Sequence, residues 1–266
     1  MKFQDKVVVI TGSSHGIGFT TAKNLLQMGA KLVLNGRNPQ YLEEARAALA
    51  PLGSVLALQA DMSKEDDVKN LIESTIAHYG RIDILICNAG IKFEDSFHQT
   101  DVNTLHKIMD VNFMGKVLPI TYALPYLKQH GGNIILISSL AGLYGLPGAT
   151  IYSASKMALS AIQQGLSLEL RKYGIHTGIM YVGMTENDPK SGIMNGAGSS
   201  ETIPQRGFKR DSREYVAQSI LKMIRRKERR RVMTQMGKAL DFLLRWAPGM
   251  VRLIMKKRLS QIASML

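Results

Sequence analysis

A regular alternation of two patterns constrains the fold of this chain more than any other feature. Short runs rich in β-branched and apolar residues, at 6–11, 31–35, 54–60, 82–87, 132–138, 174–182 and 230–234, read as strands. Between them, segments 16–29, 39–50, 64–80, 101–130, 152–173 and 212–227 carry apolar residues at helical spacing. Asn38-Pro39 sets an N-cap residue before a proline at the first helical position, and Asp211 or Ser212 can cap the last of these helices. Continuous apolar strands need cover on both faces. Strand–helix alternation implies right-handed crossovers, so the expected architecture is α/β, a single doubly wound parallel sheet of about seven strands with helices on both faces. Ligands of such sheets bind beyond the carboxyl ends of the strands, where the strand order reverses.

Length and composition narrow the class. The 266 residues, 45% hydrophobic and 21% charged, suit an ordinary globular chain with a sizeable core, and no repeat or low-complexity tract is present. The lone Cys87 lies in an apolar run and reads as a buried, inert thiol; a single cysteine can form neither an internal disulfide nor a metal cluster. His15, His78, His98, His106, His130 and His176 are scattered, so no metal site is expected. Residues 1–6 run straight into the first strand, and no apolar run approaches the ~18 residues of a spanning helix. A cytoplasmic protein is expected.

The first strand is followed at once by Thr11-Gly12-Ser13-Ser14-His15-Gly16-Ile17-Gly18, which opens the first helix. Glycines permit a tight turn, and the helix N-terminus offers free N–H groups and a favourable dipole to a pyrophosphate. The second strand ends Leu34-Asn35-Gly36-Arg37, where an acidic residue would hold the ribose hydroxyls of NAD. That acid is missing. Arg37 could pair with a 2′-phosphate, with His15 or Ser13 as second donor, or it could be a solvated charge beside the next helix. NADP(H) is therefore favoured over NAD(H).

Tyr152 and Lys156 stand at i and i+4, one turn apart on a helix face. A phenol titrates near ~10, and a fixed cation close by favours the phenolate, so the pair suits a general acid/base. Ser138-Ser139 ends the preceding strand; successive strand residues face opposite ways, so one serine of the two can face the site. Taken with Asn88-Ala89-Gly90 after the fourth strand, Asp61 after the third and Asn112 in Val111-Asn112-Phe113-Met114-Gly115, these motifs resemble the short-chain dehydrogenase/reductase family over about residues 5–235. Within that family the chain resembles NADP-dependent reductases of 3-oxoacyl groups and lipid ketones.

The resemblance implies a Rossmann-like catalytic domain over 1–235 and the following roles. Tyr152 would be the general acid in reduction, Lys156 a ligand of the nicotinamide ribose that also tunes the tyrosine, Ser139 the holder of the substrate carbonyl oxygen, and Asn112 a support for a water-linked proton relay. Cofactor contacts would fall on Gly12, Ser13, Ser14, His15, Gly16, Ile17, Gly18, Arg37, Asp61 beside the adenine, Met62, Asn88, Ala89, Gly90, Tyr152, Lys156, Val182 and Thr185. One departure stands out: the family's proline after the sixth strand is replaced by Val182, and Thr185 or Asn187 must serve the carboxamide.

Ser191 to Ser200 is flexible by composition and matches the family's substrate lid, which continues towards Phe208. Leu143, Tyr144, Leu146, Met184 and Met194 would form an apolar wall, or simply close onto the core; a lipophilic carbonyl substrate follows from the first reading. The opposite direction, oxidation of a hydroxysteroid-type alcohol, uses the same groups. A different class, a non-catalytic nucleotide-binding scaffold with a basic tail, is disfavoured by the intact Ser139, Tyr152 and Lys156.

The formal charge of +13 is concentrated at one end. Residues 1–208 hold 18 basic and 17 acidic side chains, whereas residues 209–266 hold 16 and 4. Residues 236–266 read as an amphipathic helical extension around Pro248, with Leu240, Leu243, Leu244, Trp246, Val251, Ile254, Met255 and Leu259 apolar, and Lys238, Arg245, Arg252, Lys256, Lys257 and Arg258 basic. Such a helix suits an anionic membrane surface, here the inner one, or it packs on the body or on a partner subunit of a homo-oligomer. No specific nucleic-acid motif accompanies it.

Overall fold

The computed structural model describes residues 3–203 and 210–263, with side chains described as far as residue 256. Phe208, and the side chains of Lys257, Arg258 and Leu259, lie outside this description. Strands β1 (Val7–Ile10), β2 (Lys31–Gly36), β3 (Val55–Gln59) and β4 (Ile84–Cys87) alternate with helices α1 (Gly16–Leu26), α2 (Pro39–Leu49) and α3 (Glu65–Tyr79). A short β5 (Lys92–Phe93) precedes α4 (Val102–Met109), α5 (Gly115–His130), β6 (Gly132–Ser139), α6 (Thr150–Glu169) and β7 (Ile175–Val182). Then come β8 (Gly192–Met194), β9 (Ser200–Thr202), α7 (Arg213–Arg226), β10 (Arg230–Val232), α8 (Gln235–Trp246) and α9 (Pro248–Ala263).

Seven strands pair in the order β10-β7-β6-β4-β1-β2-β3, every neighbour parallel. The order reverses at β1, whose neighbours β2 and β4 lead in opposite directions, so a crevice opens at its carboxyl end. Side chains alternate across the sheet. Val8, Ile10, Leu32 and Leu34 pack under α1, α2 and α7 with Leu25, Leu42 and Ile220. Val9, Val33, Leu85 and Cys87 pack under α3, α5 and α6 with Leu71, Ile120 and Leu159. Both faces are dry, which is why the strands read as unbroken apolar runs; truncating one of these buried leucines to alanine costs about 2–5 kcal/mol.

Two segments depart from the sequence expectation. The helix expected over 101–130 is interrupted at Asp110–Met114 by a wide π turn. The buried Asn112 drives it: its Oδ1 accepts from Ile91 N (2.9 Å) and its Nδ2 donates to Ile91 O (3.1 Å), an arrangement that turns the side chain towards the β4 end. The expected flexible loop over 191–200 instead holds β8 and β9, a hairpin whose first strand also pairs with β5. Gly198, at φ +78°, and the bond from Asn195 N to Ser199 O (3.0 Å) close its turn.

Helix α8 is fixed to the body. Thr234 caps it through Gly237 N (2.9 Å), Arg230 pairs with Asp241 (2.5 and 2.6 Å), and a Cβ at Gly237 would lie 2.4 Å from Leu140 Cδ2. Its outer face is bare: Met236, Phe242 and Trp246 are exposed, the last at 75%. Among the described residues no helix is long and apolar enough to cross a membrane.

Candidate active site

The glycine-rich turn is locked from beneath by groups that ask for glycine. Gly12 and Gly16 both sit at φ +63°. A Cβ on Gly12 would fall 2.7 Å from Ala89 Cα, and one on Gly18 would fall 2.4 Å from Gly12 O and 2.8 Å from Asn88 Nδ2. Asn88 braces the turn by donating to Thr11 O (3.1 Å) and Gly12 O (2.7 Å), while Thr11 Oγ1 accepts from the N–H groups of Asn88 and Ala89. Asn35, at the end of β2, accepts from Gly12 N (3.1 Å) and donates to Ala60 O (3.0 Å); its part in holding the turn was not legible from its neighbours in sequence.

Ser13 is not available to a 2′-phosphate. Its buried hydroxyl donates to Ile10 O (2.7 Å) and accepts from Asn35 N (3.0 Å), satisfying strand-end groups that would otherwise be orphaned. Ser14 is the serine that lines the crevice, beside His15 and Gly16. Ile17 packs against the core under α1. Burial holds His15 below its usual imidazole range, against the pull of the Asp188 charge. Gly16 has open space where a Cβ would stand, and its N–H already holds an oxyanion, the Asp188 carboxylate at 3.0 Å. The turn and the head of α1 thus fit a phosphate group.

Arg37 extends past β2 with its Nη1 3.8 Å from Asp61 Oδ2, and both side chains are solvent-accessible, at 54% and 27%. Asp61 is oriented by Ser63, which donates through N (3.0 Å) and Oγ (2.8 Å). The Met62 side chain is buried in the core beneath α3 and α5, which leaves only its backbone to face a ligand. Val182 is likewise a core side chain at the end of β7, and Thr185 bridges to Asp211 at the foot of α7, its hydroxyl 3.4 Å from Gly183 O.

At the carboxyl ends of β4 and β6 the remaining candidates come together. Ser139 ends β6, and its hydroxyl hydrogen-bonds with the Tyr152 phenol from the first turn of α6. Ser138 points the other way, buried, and donates to Lys156 O (3.1 Å), so Ser139 is the serine of the site. Lys156 Nζ lies 5.4 Å from the Tyr152 ring centroid. A Cβ on Gly90 would be 3.1 Å from Lys156 Nζ and 2.9 Å from Asn112 Oδ1, so amine, amide and bare glycine share one corner. Burial raises the Tyr152 phenol above its usual value, with the Ser139 bond opposing, and holds Lys156 down to about 8. Phe93, Ile151 and Met194 pack around Tyr152 and supply the apolar setting.

Lys116 was missed in sequence. It is fully buried, donates to Cys87 O (2.8 Å) and Ala89 O (2.7 Å), and is held well below the lysine range by burial first and by the Lys156 charge second. Cys87 itself is buried, its thiol pushed up to about 12, which leaves it unreactive. Among the described residues no cluster of His, Cys, Asp or Glu side chains could hold a metal ion.

Comparison with known proteins agrees with this arrangement. Residues 6–196 match the family model of the short chain dehydrogenases. An uncharacterised oxidoreductase of Staphylococcus saprophyticus is 36% identical over 195 residues, covering 72% of this chain and 83% of its own length. The 11-beta-hydroxysteroid dehydrogenase 1A of Arabidopsis thaliana is 37% identical over 190 residues, 70% of this chain but only 54% of the plant protein. In structure, a short-chain dehydrogenase from Streptomyces avermitilis superposes with a TM-score of 0.81 at 22% identity, covering 97% of this chain and 98% of that one. A short-chain dehydrogenase/reductase from Burkholderia phymatum, solved with NAD, superposes equally well at 0.81 and 23% identity, covering 91% and 94%. With these motifs, this sheet and these relatives, the chain belongs to the short-chain dehydrogenase family and is an oxidoreductase.

Proposed function

We propose that this oxidoreductase uses NADPH to reduce a lipophilic ketone or 3-oxoacyl group to an alcohol. The observation that carries the reading is the hydrogen-bonded Ser139–Tyr152 pair in an apolar corner with Lys156 beside it. The nicotinamide, when bound, supplies the hydride. Tyr152 holds the proton that the nascent alkoxide needs, and burial keeps that proton on the phenol at neutral pH, as an acid for reduction requires. Ser139 orients the phenol and offers a second donor to the carbonyl oxygen. Lys156 and Asn112 stand behind the tyrosine at Gly90, where they can resupply its proton and engage a ribose. The missing acid after β2 and the accessible Arg37 favour the 2′-phosphate of NADPH. The name of the plant relative, a hydroxysteroid dehydrogenase, points to polycyclic lipid alcohols or ketones as a substrate class, which the apolar surroundings of Tyr152 suit.

The same reading extends to the tail. The outer face of α8 exposes Phe242 and Trp246 next to Lys238 and Arg245, along a groove of about 570 Å³ shared with Tyr215 and Arg231 of the body. Aromatic side chains flanked by cations fit the interface of an anionic bilayer, where a lipophilic substrate would be met.

The test of the enzymatic reading is NADPH consumption over a panel of hydrophobic ketones and 3-oxoacyl thioesters, with alcohol formation measured in parallel. Turnover with at least one hydrophobic carbonyl, and faster with NADPH than NADH, is expected. Turnover confined to small polar carbonyls, or faster with NADH, would overturn it.

A further inference from the structure

Residues 184–191 cross the carboxyl end of the sheet as a strap. Its near end is tied to the foot of α7, where Asp211 N donates to Met184 O (2.8 Å) and Glu186 N donates to Asp211 O (3.0 Å). Its far end reaches α1 and α2: Ser191 Oγ lies 3.3 Å from His15 Nδ1, Lys190 Nζ pairs with Glu44 (2.5 Å) and stands 4.6 Å from the centroid of the Tyr41 ring. Midway, Asp188 turns inward, its side chain only 11% exposed. One carboxylate oxygen, Oδ2, accepts from both Gly16 N (3.0 Å) and Arg213 Nη1 (2.5 Å), while Oδ1 accepts from Lys190 N (3.0 Å).

Two donors from opposite ends of the sequence therefore converge on a single oxygen at the head of α1. That point is where backbone N–H groups and the helix dipole favour an anionic ligand. A carboxylate and a phosphate cannot share it, both because they claim the same donors and because like charges repel. We propose that Asp188 is a built-in competitor for the cofactor's pyrophosphate, and that Arg213, released when Asp188 leaves, becomes a ligand of that pyrophosphate. This rests on the reading of the chain as a dinucleotide-dependent enzyme. Arg213 is kept in place after the exchange by Glu186, whose Oε2 accepts from Arg213 N (3.3 Å) and stands 4.0 Å from Nε. The cations around Asp188, on Lys92, Lys190 and Arg213, leave the vacated spot positive, while burial holds His15 beside them towards its neutral form. Arginine loses nothing by the exchange, because its planar fork matches phosphate oxygens as well as it matches a carboxylate. The strap thereby couples cofactor binding to the position of β8, which follows it directly and carries Met194 to Tyr152.

Binding that requires Asp188 to leave the α1 head, with the near end of the strap still tied at Glu186, loses affinity in proportion to the fraction in which Asp188 is docked. Asp188→Asn keeps the shape and an acceptor oxygen but removes the charge, so the Kd for NADPH, followed by fluorescence titration, should fall about tenfold. Asp188→Glu should restore the weaker binding, and Asp188→Ser provides the same charge removal should the Asn variant not fold. Arg213→Met introduced into the D188N background should raise Kd about tenfold again. Inorganic pyrophosphate, titrated by its protection against thermal unfolding, reads the α1 head without nicotinamide or adenine and should rank the variants in the same order. An unchanged or weaker Kd for both probes in D188N overturns the competitor, and an Arg213 variant without effect in that background overturns the transfer. Failure of the wild type and all variants to bind NADPH or NADH, with pyrophosphate still ranked as expected, would refute the proposed cofactor use and leave the competitor standing.

Discussion

At the residue scale the site is governed by what burial does to charge. Lys156 is held at about 8 because a buried ammonium loses its hydration, and Lys116, fully buried beside the Lys156 charge, is likewise held well below the lysine range. In the unfolded chain both would keep their protons to about pH 10.4. Between the folded and unfolded values the unfolded state binds more protons, so stability rises with pH through that window, and below it the cost of burial is felt in full. Denaturant unfolding should accordingly show the wild type gaining on Lys156→Met by about 2–3 kcal/mol as pH goes from roughly 8 to 10; a constant difference would mean that Lys156 is not desolvated. Arg37 poses the second residue-scale test. Its guanidinium, paired with Asp61 only at 3.8 Å, is free to take a phosphate, so Arg37→Asp should weaken NADPH by about 10-fold or more and leave NADH nearly unaffected or improved. Equal loss for both cofactors would assign Arg37 to general steering.

At the scale of elements, glycines decide how closely β1, α1 and β4 approach. A methyl group at Gly18 would press 2.4 Å from Gly12 O and against the Asn88 amide, so Gly18→Ala should shift the turn, cost about 1–3 kcal/mol in thermal unfolding and weaken cofactor binding together with it. A variant with native stability and native Kd would show that the turn has slack. Most of this level was legible in sequence, because it is local: the sheet follows from the alternation, and the meeting of Ser139, Tyr152 and Lys156 follows from the Tyr152–Lys156 spacing and the end of β6. What escaped was long-range or sub-local. Asp188 meets Gly16 across 172 positions, and Lys116 finds its two carbonyl partners at Cys87 and Ala89 only once α5 crosses β4. No periodicity marks the π turn at Asn112, since it depends on a side-chain bond to Ile91. Ser13 and Ser14 are chemically alike, and only the fold shows that the first is consumed by Asn35.

At the scale of the whole molecule, a nucleotide-binding body that is nearly neutral through residue 208 and basic from α7 onward carries an aromatic-tipped α8, held to β10 by Arg230–Asp241 and against Leu140 by Gly237. If that face meets an anionic bilayer, Phe242→Ser combined with Trp246→Ser should abolish co-sedimentation with phosphatidylserine vesicles at low salt while leaving the melting temperature unchanged, because both side chains are already exposed. Loss of stability without any vesicle binding by the wild type would assign α8 to packing instead. The proposed reduction rests on one proton, and Tyr152→Phe removes it while keeping the ring. The most direct measurement is therefore the steady-state reduction of an accepted ketone by wild type and Tyr152→Phe, alongside the NADPH Kd of each. The account predicts a fall in kcat of about 10²–10⁴-fold with Kd unchanged; a variant that keeps most of its turnover would contradict it.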